Sequence, residues 1–206
     1  MSHFKPDIRQ RAEELVSLYP RARSAMLPLL HLAQEQDGYL SEEGIEEVAL
    51  LTGTTTADVR GTAAFYDMYH LEPVGKYVVG VCTNIACLLA GGQEFLEHAS
   101  TKLGCPVGST SEDGLFTLEE TECLADCNIA PVVQVNHRYV RTTTPETFDA
   151  MIDDLRDGKL DHEVPSHGTL IRVRRSGGLR ASRDEVVDQR VTAKAAREAR
   201  VQAETI

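Results

Sequence analysis

The chain has 206 residues, 42% hydrophobic and 26% charged, a globular composition with room for one sizeable core or two small ones. Its net charge of −11 is uneven: residues 1–165 carry 12 Lys+Arg against 27 Asp+Glu, and residues 166–206 carry 9 against 5. An acidic body argues against a general nucleic-acid binder, and no apolar run approaches the ~20 residues that span a bilayer.

The N-terminus, MSHFKPDIRQRAEEL, has no apolar signal region, which points to a cytoplasmic protein. Residues 7–70 read as helices. Asp7 is placed to cap a first helix through Ile8, Ala12, Leu15 and Val16, stopping near Tyr19 and Pro20. Met26, Leu29, Leu30 and Ala33 have helical spacing over Ala25–Gln36, with Pro28 tolerable in a first turn. Ser41 reads as the cap of a third helix ending at Gly53, and Thr55 with Asp58 as a capping box for a fourth. His31 and His70 read as structural, and Phe65, Tyr66 and Tyr69 as packing residues.

KYVVGV, ending at Cys82, is a β-branched run and reads as a buried strand. LLAGGQEFLEHASTKLG after Cys87 reads as one helix closed by Gly104, in which Gly91 and Gly92 mark either a close backbone approach or a weak start. Phe116–Thr121 and Ala130–Asn136 read as two further strands. A last helix starts near Pro145 with Thr144 as cap and Phe148, Met151, Ile152 and Leu155 on one face. Beyond Pro165 the composition turns polar and basic, with a Gly177–Gly178 break and a possible helix over 184–203. The organisation read from this is 1–72 helical, 73–160 an α/β domain, and 161–206 a basic, partly disordered tail.

Four of the five cysteines form two close pairs, Cys82/Cys87 (C-x4-C) and Cys123/Cys127 (C-x3-C), separated by 35 residues. Two pairs joined by one folded unit can bring four thiolates together. Soft sulfur ligands suit an iron–sulfur cluster or a structural zinc. Two disulfides are the weaker reading for a chain without a secretory signal. Cys82 falls at a strand end and Cys87 near a helix start, where free N–H groups can donate to sulfur. Cys105 has no close partner and reads as a small apolar filler. There is no C-x-x-C of a thiol oxidoreductase, no G-x-G-x-x-G after a strand and no Walker A sequence.

Taken in order, YPRARSAMLPLLHLAQEQDGYLS, VRGTAAFYDMY, YHLEPVGKYVVGVCTNIAC, DGLFTLEETECLADC, APVVQVN and TPETFDAMIDDL resemble the thioredoxin-like 2Fe–2S (24-kDa, or E) subunit of respiratory complex I, over roughly residues 8–160. The resemblance implies an α+β/α/β fold: an N-terminal helical bundle, then a thioredoxin-like 2Fe–2S ferredoxin domain, then a polar tail. It implies Cys82, Cys87, Cys123 and Cys127 as ligands of one 2Fe–2S cluster, and a cis bond before Pro131. It also implies a subunit of NADH:quinone oxidoreductase that exchanges one electron with the flavin of a partner. FMN and NAD would sit on that flavin/NADH-binding subunit. The helical segment would help dock it, an iron–sulfur subunit would be a further partner, and no catalytic acid, base or nucleophile would reside here. The complex would lie on the cytoplasmic side of the membrane without direct insertion of this chain. The equivalent subunit of an NAD-linked hydrogenase or formate dehydrogenase shares the pattern, and a zinc-stabilised interaction module is the alternative from another class. This chain departs from the family at CLADC, where C-L-G-A-C is common. Ala125 replaces a glycine, which puts a positive φ there in question, and Asp126 adds a carboxylate beside a ligand.

Overall fold

A computed structural model describes residues 2–140 and 144–169. Helix α1 is Pro6–Ser17 and begins earlier than Asp7 predicts. Pro6 takes the first helical position, where its missing N–H costs nothing, so Lys5 is the cap and Asp7 lies in the first turn, where a negative charge favours the helix. Helix α2 is Met26–Asp37, entered through a 3-10 turn at Ala22–Ala25, with Pro28 in its first turn. Helix α3 is Glu42–Thr52; Ser41 Oγ accepts from Gly44 N at 3.1 Å, and Gly53 closes the helix at φ 65°. Helix α4 is Thr56–Phe65, started by the Thr55/Asp58 capping box. The four helices share a core that includes Leu29, Leu30, Leu32, Ile45, Val48 and Val59.

Strands β1 (Tyr77–Cys82), β2 (Ser109–Thr110), β3 (Phe116–Thr121), β4 (Val133–Val135) and β5 (Arg138–Val140) form one mixed sheet in the order β2-β3-β1-β4-β5. β1 and β3 are parallel, with Cys82 opposite Thr121; every other pairing is antiparallel. The parallel pair requires a crossover, supplied by helices α5 (Ile85–Leu89) and α6 (Gly92–Leu103). The sequence reads these two as one helix. Gly91 at φ 86° separates them, since its left-handed backbone cannot continue either. Helix α7, Pro145–Arg156, is capped by Thr144 as predicted.

Strand alternation divides β1. Tyr77, Val79 and Val81 join Phe116, Leu118, Val133 and Val135 in a core roofed by α6 and α7 through Phe95, Leu96, Phe148 and Ile152. Cys105 is buried in this core, the filler role its isolation predicts. After α7 the chain returns across the layer. Val164 enters the core, His167 N donates to Lys76 O at 2.7 Å, and Asn136 Nδ2 donates to Pro165 O at 2.8 Å. Buried Gln34 of α2 accepts from His70 N and donates to Met68 O, tying the helices to the segment that leads into β1. The predicted Gly177–Gly178 break and 184–203 helix lie outside the described residues. Among the described residues no helix is long and apolar enough to cross a membrane.

Candidate metal centre

The sheet order brings the two cysteine pairs to one edge. Cys82 ends β1, and Cys87 lies on α5, which follows directly. Cys123 and Cys127 lie on the loop leaving β3, the strand beside β1. All five cysteines are free. Cys82 and Cys87 are buried against Val132, with Leu124, Ile129 and Ala130 around them; Cys123 and Cys127 are exposed. Alongside lost solvation, the neighbouring Cys82 sulfur raises the Cys87 thiol, and the Cys123 and Cys82 sulfurs raise the Cys127 thiol.

The four cysteines thus come to the edge as two neighbouring pairs. Among the described residues, no three His, Cys, Asp or Glu side chains converge in the manner of a site for a single ion. A two-iron centre takes two protein sulfurs on each iron, so two cysteine pairs at one edge supply the number and type of donors it needs. Burial pushes the Cys87 thiol up, and the adjacent Cys82 sulfur pushes it further. Cys127 is raised as well, by lost solvation and then by Cys123.

Backbone geometry completes the pocket. The Val132 backbone favours the Cys87 thiolate, opposing the effects of burial and of the Cys82 sulfur. Val132 leads into β4, just after the cis Ala130–Pro131 bond. Cys82 N is held by Val132 O at 3.0 Å. Gly92 is where the close approach occurs: a Cβ there would stand 2.8 Å from Cys87 O and 3.0 Å from Cys82 O. Ala125 does adopt a positive φ, 63°, despite its side chain.

Three residues around the site escaped the sequence reading. Glu120 accepts from Thr83 Oγ1 at 2.6 Å, Glu122 accepts from Asn84 Nδ2 at 3.0 Å, and Tyr139 donates its hydroxyl proton to Leu124 O. Asn84 caps α5 through its Oδ1, and its position just before IACLL carried that signal. His31 packs on Tyr69 and His70 on His167, with ring centroids 4.9 and 4.7 Å apart, in keeping with structural roles.

A family model for thioredoxin-like 2Fe-2S ferredoxins matches residues 12–156. The chain belongs to the thioredoxin-like 2Fe-2S ferredoxin family. As a member, it is 42% identical over 157 residues to the E subunit of NADH-quinone oxidoreductase from Mycobacterium tuberculosis, covering 74% of this chain and 62% of that protein. It is 39% identical over 168 residues to the NADH-quinone oxidoreductase subunit numbered 2 in Thermus thermophilus, covering 80% and 93%. With the NADH-quinone oxidoreductase E subunit of Rickettsia conorii it shares 42% over 149 residues, covering 71% and 89%. The chain therefore spans under two thirds of the mycobacterial relative and nearly all of the Thermus one. Among solved structures, an air-oxidised NAD+-reducing NiFe hydrogenase superposes with a TM-score of 0.57 over 65% of this chain and 23% of its own; at 20% identity this is a likeness of fold. Family membership supports an iron–sulfur cluster as the ferredoxin's metal group.

Proposed function

We propose that the chain is the 2Fe–2S electron-transfer subunit of an NADH:quinone oxidoreductase, with Cys82, Cys87, Cys123 and Cys127 as the cluster ligands. The observation that carries this reading is the sheet order, which brings one cysteine pair from the β1–α5 connection and the other from the segment after β3 to a single sheet edge. The names of relatives at about 40% identity supply the host complex. When bound, a 2Fe–2S centre takes up and returns single electrons. The chain's own residues hold it. The cysteines supply four thiolates, the Val132 backbone favours the charge on Cys87, and Gly92 lets the two ligand-bearing backbone segments close on each other. FMN and NAD belong on a partner flavin subunit, with a second iron–sulfur subunit nearby, and the helical segment 1–72 serves as a docking unit. In this reading the complex faces the cytoplasm and does the dehydrogenase chemistry, while this chain is an electron carrier.

The test is anaerobic reconstitution of the full chain, followed by visible absorption and EPR after dithionite reduction. A brown protein with a 2Fe–2S signal, lost in Cys82→Ser and in Cys127→Ser, is the expected result. A colourless protein holding one zinc would make the chain a zinc-stabilised interaction module instead.

A further inference from the structure

The parallel ladder between β1 and β3 does not stop where the strands stop. Its last backbone rung is Thr83 N to Thr121 O at 3.4 Å. Two side-chain rungs continue it into the cysteine loops: Thr83 Oγ1 to Glu120 Oε1 at 2.6 Å and Asn84 Nδ2 to Glu122 Oε2 at 3.0 Å. Thr83 and Asn84 lie between Cys82 and Cys87, while Glu122 immediately precedes Cys123. The second rung therefore ties the segment carrying one cysteine pair to the segment carrying the other.

Asn84 uses both ends of its amide. Its Nδ2 donates to Glu122, and its Oδ1 accepts from Ile85 N at 2.9 Å, at the start of the helix that carries Cys87. The bond to Glu122 fixes which end faces the helix. Rotating the amide would point a donor at a donor. The path Glu122 → Asn84 → α5 → Cys87 is thus a chain of directed hydrogen bonds from one ligand segment to the other.

We infer that Glu122, acting through Asn84, is a positioning residue that sets the spacing between the Cys82/Cys87 and Cys123/Cys127 pairs. This rests on the assignment of those cysteines as cluster ligands. Metal ligands depend on such outer partners for their geometry, and losing one costs on the order of 10–100-fold in metal retention. Glu122 is exposed and Asn84 half-buried, and exposed polar contacts add little to global stability. The role is therefore read on the cluster and leaves the melting temperature nearly unchanged.

The decisive experiment exchanges the polarity of the rung in the full-length, reconstituted chain. Readouts are the rate of cluster loss to a chelator, the EPR line shape and the midpoint potential. Glu122→Ala removes the acceptor and speeds cluster loss on the order of ten-fold. Glu122→Gln keeps an acceptor oxygen, so retention and line shape stay near wild type while the lost charge raises the potential. Asn84→Asp keeps the helix cap but sets two carboxylates against each other, and retention falls. The double variant Asn84→Asp/Glu122→Gln restores one donor and one acceptor, reversed, with the total charge conserved, and recovers retention. Wild-type retention in Glu122→Ala, or a double variant no better than Asn84→Asp alone, overturns the positioning role while leaving the cluster assignment intact. A wild-type chain that forms no 2Fe–2S centre overturns the cluster assignment, and the positioning role with it.

Discussion

Gly92 has the tightest surroundings in the site. A methyl group there would press on the carbonyls of both Cys82 and Cys87, which are backbone atoms and cannot swing aside. Gly92→Ala should therefore cost about 1–3 kcal/mol by overpacking and weaken cluster retention, measured by denaturant unfolding and by iron content after reconstitution. Ala125 carries a smaller burden. Its positive φ costs about 1 kcal/mol relative to glycine, and the Tyr139 hydroxyl bond to the preceding Leu124 carbonyl helps hold the loop in place. The sequence exposes the Ala–Gly exchange but not the backbone's answer to it. Asp126 adds a negative charge next to Cys127, which disfavours reduction of a nearby centre. Redox titration of Asp126→Ala should give a higher midpoint potential than wild type; an equal or lower value refutes the effect.

Helix α7 closes the core over the sheet at the element scale. Phe148 is fully buried and meets Phe95 of α6 edge-on, with centroids 5.3 Å apart. Phe148→Ala should destabilise the fold by about 3–5 kcal/mol, read as a fall in the denaturant midpoint at constant slope. This helix was legible from its sequence because Thr144, Pro145 and the apolar spacing act locally. The same holds for Ser41 and for Thr55 with Asp58, whose caps are satisfied within three residues. Strands β2 and β5, of two and three residues, were not legible. Strands that short carry no period of their own and exist only because β3 and β4 offer an edge to pair with. The cysteine pairs announced themselves by spacing. Val132, Glu120 and Glu122 did not, because their places depend on the order β3-β1-β4, which brings together residues distant in sequence.

At the largest scale, the described fold is fastened where residues 164–169 return to the sheet. His167 is buried there against His70 and His137, and neither of its ring nitrogens has a hydrogen-bond partner among the described residues. Burial first, then the two neighbouring histidines, bring its pKa down to about 4. An unfolded histidine takes up its proton near pH 6.5. The folded chain refuses that proton until about pH 4, so His167 contributes its full stability above pH 6.5 and loses it as pH falls from 6.5 towards 4. Denaturant midpoints measured across that window should drop steeply for wild type and less steeply for His167→Phe. Equal slopes would show that other groups govern the acid transition.

The unequal burial of the cysteines gives the proposed centre an inner and an outer half. Cys82 and Cys87 are 2% and 1% accessible, whereas Cys123 and Cys127 lie open. Chemical damage therefore has a direction: oxidants and alkylating agents meet the outer sulfurs first. Timed iodoacetamide labelling of the metal-free chain, read by mass spectrometry, should mark Cys123 and Cys127 before Cys82 and Cys87. A partner that covers this edge would then serve as a shield for the outer half as well as an electron neighbour.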